Sequence, residues 1–154
     1  MKRILVPTDF SKRANDALNF AKEIALDNEA TVILLHAVEY PVGATMDPIG
    51  VSVVANVDRE MIDTLTTTAK EKMAVIKREF QNDGINIETI VDVGTAYISI
   101  YENIKNQHVD MVIMGSHGAS GFKEMFIGSN AEKVVRHVKC PVITIKGPTH
   151  KRDI

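Results

Sequence analysis

The chain has 154 residues, 45% hydrophobic and 25% charged, which is the composition of an ordinary globular protein. Eighteen basic residues against 20 acidic ones leave a net charge of −2, so no nucleic-acid or anionic-membrane partner is expected. No apolar run reaches membrane-spanning length, and the single Cys140 excludes an internal disulfide.

At this size a domain buries about 70% of the surface its unfolded chain exposes, enough for a real core. One domain is expected over residues 1–147, with 148–154 as a polar tail. The opening Met1-Lys2-Arg3-Ile4 does not read as a signal peptide, and a lone cysteine suits a reducing cytoplasm. A cytoplasmic location is the expectation.

In chain order, Arg3-Ile4-Leu5-Val6-Pro7 reads as a short buried strand stopped by proline. Thr8-Asp9-Phe10-Ser11 makes the turn, and Ser11 is placed to cap a helix running to about Asp27. That helix carries Ala14, Ala17, Leu18, Ala21, Ile24 and Ala25 on one face. Thr31 to Val38 follows as a second strand, apolar without alternation, as in a parallel sheet covered on both sides. Residues 40–57 hold Pro41, Gly43, Pro48 and Gly50 and are expected to be a long loop, either packed on its own domain or serving as a lid or subunit contact.

Asp58 is expected to cap a long helix ending at Asn82-Asp83-Gly84, with Ile62, Leu65, Ala69, Met73, Ile76 and Phe80 as its apolar stripe. Ile85 to Val93 alternates like an edge strand, and Gly94-Thr95 starts a helix carrying Ile98, Tyr101 and Ile104. Met111-Val112-Ile113-Met114 is the fourth buried strand. A helix with Val134, Val135 and Val138 and a last strand, Val142 to Ile145, complete the series. The alternation predicts a single-domain, doubly wound α/β fold of the Rossmann-like kind: five parallel strands in order 3-2-1-4-5, helices on both faces. Ligands bind such sheets at the carboxyl ends of the strands, where the winding reverses.

At that point the sequence places its most specific signal. Gly115-Ser116-His117-Gly118 follows the fourth strand, and nine residues later Gly128-Ser129 opens a helix. Ser129 with Glu132 forms a candidate capping box. A glycine loop feeding a helix N-terminus gathers free N–H groups and the positive end of a helix dipole, which is how a phosphate is cradled. The same glycine and serine would start a helix without any ligand. Gly-x4-Gly-Lys-[Ser/Thr] and a Gly-x-Gly-x-x-Gly after the first strand are both absent. The five histidines show no metal-ligand spacing; His117, inside the glycine loop, is placed to touch a phosphate, but its neighbours' backbone groups would suffice and a surface or packing role is the favoured reading. Ser116 and Ser120 have no identifiable base, and Cys140 reads as a small apolar residue.

On these residues the chain resembles the universal stress protein family, in its nucleotide-binding branch. The resemblance runs from Ile4-Leu5-Val6-Pro7-Thr8-Asp9-Phe10-Ser11 through Val32 to Val38 and Asp110 to Ile145, and Gly115, Gly118, Gly128 and Ser129 meet Gly-x-x-Gly-x9-Gly-[Ser/Thr] in full. It implies that this motif holds the phosphates and ribose of ATP. It also implies that Pro7, Thr8 and Asp9 lie beside the nucleotide, and that backbone at Ala37 and Val38 reads the adenine edge. Asn130 stands where the family often has a small apolar or hydroxyl residue; a backbone N–H there would serve the phosphates equally. Homodimers through the last strand (Val142, Ile143, Thr144 and Ile145) are a further implication.

Asp9 beside polyphosphate is repulsive unless it holds a ribose hydroxyl or Mg²⁺, which favours oxygen ligands; a turn-stabilising role is the alternative. The expected function is therefore an ATP-binding stress-response regulator whose occupancy, with Mg²⁺, changes contacts with its own copy or with a regulatory partner protein. Only Asp9 and the loop are available for phosphoryl transfer, so hydrolysis should be slow at most. An ATP-hydrolysing enzyme using the same site, and a dimerisation module without ligand, are the alternatives.

Overall fold

The computed structural model describes residues 2–39, 44–46, 52–54, 59–117 and 127–147. Its elements are β1 (Arg3–Pro7), α1 (Lys12–Asn28), β2 (Thr31–Val38), β3 (Ala44–Met46), β4 (Ser52–Val54) and α2 (Arg59–Asn82). β5 (Ile87–Val93), α3 (Ala96–Asn106), β6 (Met111–Gly115), α4 (Ser129–His137) and β7 (Val142–Ile145) follow. The five strands β5-β2-β1-β6-β7 form one all-parallel sheet, which is the expected order 3-2-1-4-5.

The central strands are apolar without alternation because both faces are covered. Ile4 and Val6 of β1 join Ala17, Leu18, Ala21, Met73 and Phe80 on one side, while Leu5, Ile33 and Leu35 join Ile100, Val112 and Val134 on the other. Ser11 caps α1, its hydroxyl accepting from the Ala14 N–H at 3.2 Å. The chain leaves α2 through Gly84 at φ +78°, a left-handed conformation that glycine adopts without penalty.

Several elements differ from the sequence reading. Within the expected loop 40–57, β3 and β4 form an antiparallel pair. Strand β5 begins at Ile87 rather than Ile85. On α3 the buried face is Ser99, Ile100 and Asn103, while Ile98 and Tyr101 are about half exposed at 48% and 47%. Asn103 is buried because its amide is used twice, donating to Asp92 Oδ2 at 2.8 Å and to the Ser99 carbonyl at 2.9 Å. Leu65 of α2 and Val135 of α4 are exposed, so the stripes on those helices are narrower than expected. The expected Asp58 cap and the tail 148–154 lie outside the described residues.

One contact ties β2 to α3. Thr95 stands at the α3 N-cap without a side-chain cap bond, and Glu39 instead accepts from the Ala96 N–H at 2.7 Å. A carboxylate there meets both an orphan donor and the positive end of the helix. Glu39→Ala should therefore cost about 1 kcal/mol, read as a lower urea midpoint at unchanged slope; an unchanged midpoint would show that solvent caps α3 equally well.

Candidate functional site

A cavity of about 400 Å³ opens at the carboxyl ends of β1, β2 and β6, where the winding of the sheet reverses. Pro7, Thr8 and Asp9 leave β1 into its wall; Leu35, Ala37 and Glu39 come from the end of β2. Met114 to His117 enter from β6, Ala14 from α1, Ala96 and Ile100 from α3, and Gly128 to Ala131 from the start of α4.

The loop after β1 is held rigidly. The Thr8 N–H donates to the Leu35 carbonyl at 2.8 Å, and Thr8 Oγ1 accepts from the Phe10 N–H at 3.0 Å. Asp9 Oδ1 accepts from the Ser11 N–H at 2.9 Å, so the turn role considered for Asp9 is present in the structure. Between them Phe10 sits at φ +61°, uncommon for a bulky residue. Its ring lies 4.6 Å from that of His36, tilted by 38°, and under the Lys72 ammonium at 5.0 Å. His36 in turn donates from Nδ1 to the Thr8 carbonyl at 2.8 Å.

Opposite, the Ser116 N–H donates to the Ile145 carbonyl at 2.9 Å, and the Ser116 carbonyl accepts from the Gly128 N–H at 2.7 Å. The second bond pins the start of α4 to the end of β6. Gly128, not Ser129, is the N-cap, and it has no side chain with which to cap the helix. The capping box is therefore absent: Ser129 is the first helical residue, and Glu132 pairs with Arg136 at 2.9 Å. The first-turn N–H groups of Ser129, Asn130 and Ala131 have no intrahelical acceptor, and all three residues border the cavity. The result is a donor-rich, positive wall.

Gly115 meets a different constraint. A Cβ there would lie 3.2 Å from the backbone carbon and oxygen of Arg13 and from the His117 carbonyl. A side chain here would crowd the packing of α1 on the end of β6, whatever the cavity holds.

His117 is 91% buried, and Nδ1 lies 3.0 Å from Arg13 Nη1 and 2.9 Å from Ser116 Oγ. The sequence reading assigned Ser116 no base, whereas the structure brings the adjacent imidazole within hydrogen-bond reach. The pair does not make a nucleophile: Ser116 is fully buried, and Nδ1 is already occupied by Arg13. The Cys140 thiol is pushed up by its burial, with Asp110 adding to the effect against an opposing backbone hydrogen bond, so it is a poor nucleophile too. Among the described residues, no group of three His, Cys, Asp or Glu could hold a metal ion, and no helix is long and apolar enough to cross a membrane.

Of the residues the sequence singled out, Pro7, Thr8, Asp9, Ala37, Gly115, Gly128, Ser129 and Asn130 come together around this one cavity. Val38 does not line it; it is buried, and its carbonyl accepts from the Gly94 N–H at 3.0 Å. Gly118 lies outside the described residues. Glu39, Ser116, His117 and Ile100 border the cavity without having been selected. Nothing in local sequence marks Glu39, whose partner Ala96 lies 57 residues away; His117 stands within the glycine loop, but its partner Arg13 lies 104 away.

A five-stranded parallel sheet with helices on both faces and a cavity at its switch point defines the class as a doubly wound, Rossmann-like α/β protein. The family model for the universal stress protein family matches residues 1–146, and the chain belongs to that family. It is 33% identical over 153 residues to universal stress protein MJ0577 of Methanocaldococcus jannaschii, covering 94% of each chain. The solved structure of MJ0577 superimposes with a TM-score of 0.78 at 34% identity, again over 94% of both chains. UspA of Lactobacillus plantarum superimposes at 0.79 with 27% identity, over 94% of this chain and 97% of that one. Two more distant proteins share the fold and were solved with adenine nucleotides. At3g01520 of Arabidopsis thaliana, with AMP bound, superimposes at 0.63 with 20% identity over 97% of this chain and 94% of that one. A universal stress protein in complex with cAMP superimposes at 0.62 with 21% identity, over 94% and 95%.

Proposed function

We propose that this universal stress protein binds ATP in the cavity at the switch point, and that occupancy changes its contacts with a second copy or a regulatory partner in the cytoplasm. The observation that carries the reading is the start of α4, where the N-cap glycine offers no side chain and the first-turn donors border a cavity large enough for a nucleotide. That AMP and cAMP are held by two proteins of this fold supports an adenine nucleotide as the ligand. Phosphates belong at the donor wall of Ser129, Asn130 and Ala131; the apolar end near Leu35, Ala37 and Ile100 suits a base.

Mg²⁺ fits as a passenger. With no three-ligand cluster among the described residues, the phosphates would carry it, and Asp9 is the carboxylate placed to meet it. The cation would screen the phosphate charge from Asp9. Asp9→Asn keeps the acceptor for the Ser11 N–H, and a urea melt beside the titration checks that the fold is retained. Its ATP affinity should fall by about fivefold with Mg²⁺ and rise by a similar factor in EDTA, since one unit charge is removed at high effective dielectric. Calorimetric titration under the two conditions tests this, and equal weakening in both would assign Asp9 to a ribose hydroxyl.

The edge strand β7 supports dimerisation. Among the described residues it pairs only with β6, and Val142, Ile143 and Thr144 are only partly buried within one chain. A regulatory switch requires that ATP bind two states of the protein with different affinity.

A further inference from the structure

Among the described residues, three that are not glycine have positive φ: Phe10 at +61°, and Glu29 and His108 at +50°. Glu29 is the C-cap of α1, and His108 follows the C-cap of α3. A left-handed residue is an ordinary way to end a helix, so neither needs a further account. Phe10 ends no helix. It stands two residues ahead of α1, in the loop that leaves β1, and a bulky residue rarely takes this conformation.

A residue held this way persists only where its surroundings over-determine it. The Phe10 N–H donates to Thr8 Oγ1 at 3.0 Å, and the next N–H, that of Ser11, donates to Asp9 Oδ1 at 2.9 Å. The Phe10 ring is partly buried against the core on the α1–α2 side, 4.6 Å from the His36 ring and 5.0 Å from Lys72 Nζ. His36 is itself tied to the loop through its bond to the Thr8 carbonyl. Phe10 does not border the cavity, but its neighbour Asp9 does. The direction of the Asp9 carboxylate follows the Ser11 N–H that it accepts from, and the dihedrals of residue 10 set where that N–H stands. A change of residue 10 to negative φ would move the N–H and turn the carboxylate with it.

We infer that Phe10 is a positioning residue for Asp9: its ring, seated on the core beside His36 and Lys72, holds residue 10 in the left-handed region, and this conformation presents the Asp9 carboxylate to the nucleotide. The role rests on the nucleotide reading given above, in which Asp9 meets Mg²⁺ or a ribose hydroxyl. It gives an apolar residue outside the cavity wall a share in how the site holds its ligand.

Two substitutions separate the ring from the backbone. Phe10→Ala removes the ring and keeps a side chain that disfavours positive φ, whereas Phe10→Gly removes the ring and accepts that φ freely. In ligand-free protein, hydrogen exchange read by NMR at the Ser11 amide should be about tenfold faster in Phe10→Ala than in wild type, the factor that the cost of a left-handed residue implies. Phe10→Gly should exchange more slowly than Phe10→Ala. Calorimetric titration should show Mg-ATP affinity reduced in Phe10→Ala by up to the about fivefold expected of Asp9→Asn. Phe10→Gly should recover part of that loss, and Phe10→Ala combined with Asp9→Asn should bind no more weakly than Asp9→Asn alone. Unchanged Ser11 exchange in Phe10→Ala, equal affinities of the alanine and glycine variants, or losses that add in full in the double variant would each overturn the inference while leaving nucleotide binding intact. Wild-type affinity of Asp9→Asn in both Mg²⁺ and EDTA would do the same, since Asp9 would then have no role to be positioned for. Failure of the wild-type protein to bind ATP would remove the proposed function and the ligand role of Phe10 together, while the Ser11 exchange would still show whether the ring holds the turn.

Discussion

Replacing Gly128 by valine should lower ATP affinity by more than about 100-fold, because several charge-assisted hydrogen bonds to the phosphates are lost together. Gly128 is the N-cap of α4, and its N–H is already given to the Ser116 carbonyl at 2.7 Å. Its backbone, at φ −59° and ψ 150°, is open to any residue, so valine brings no strain. The β-branched side chain would instead stand in the cavity wall, where backbone and phosphate must approach closely. Valine is a poorer N-cap than glycine, and the stability cost should be about 1 kcal/mol. Titration with Mg-ATP beside a urea melt separates the two effects. Normal affinity in Gly128→Val would mean that the phosphates do not lie at the start of α4. Gly118→Val should behave in the same way, as the companion glycine of the motif.

The second large effect is on folding. Gly115→Val should destabilise the protein by about 3 kcal/mol, and Gly115→Ala by about 1–2 kcal/mol. The added Cβ would lie 3.2 Å from three backbone atoms, two in Arg13 and one in His117. Backbone yields at greater cost than a flexible side chain. These atoms are further held by the Ser11 cap on α1 and by the pairing of β6 with β7. A loss of ATP binding in either variant would follow from the displaced α1–β6 contact. Wild-type stability combined with lost binding would show that Gly115 serves the ligand directly and that α1 can move aside.

These two glycines belong to one sequence motif and have different physical reasons to be glycine, and spacing alone does not separate them. The sheet, by contrast, was legible throughout. Val32-Ile33-Leu34-Leu35 and Met111-Val112-Ile113-Met114 are runs without alternation, which only a strand covered on both faces explains. Short apolar segments separated by helical periods then leave few topologies.

What escaped the sequence was polar or very short. The phase of α3 was misread because Asn103 sits on its buried face, satisfied by Asp92 on another element. Ser129 looked like a cap because capping boxes are read by type and spacing, whereas Gly128 takes the position with backbone alone. β3 and β4 have three residues each, too few for a period to show among prolines and glycines. For the site, the clustering of Pro7, Thr8, Asp9, Gly128 and Asn130 was readable, because strand order carries the ends of β1 and β6 together. The Arg13–His117 pair was not, since it joins residues 104 apart and depends on how α1 packs.

The nucleotide content of the protein as purified, with no ligand added, tests the central claim most directly. The protein is denatured, and the supernatant is separated by ion-exchange chromatography against adenine nucleotide standards. Near-stoichiometric ATP is the predicted result, and its survival through purification would also show that hydrolysis is slow. ADP or AMP in its place would move the site toward turnover. An empty protein that also gives no binding heat with Mg-ATP would contradict the account, leaving a universal stress protein fold whose cavity holds something else.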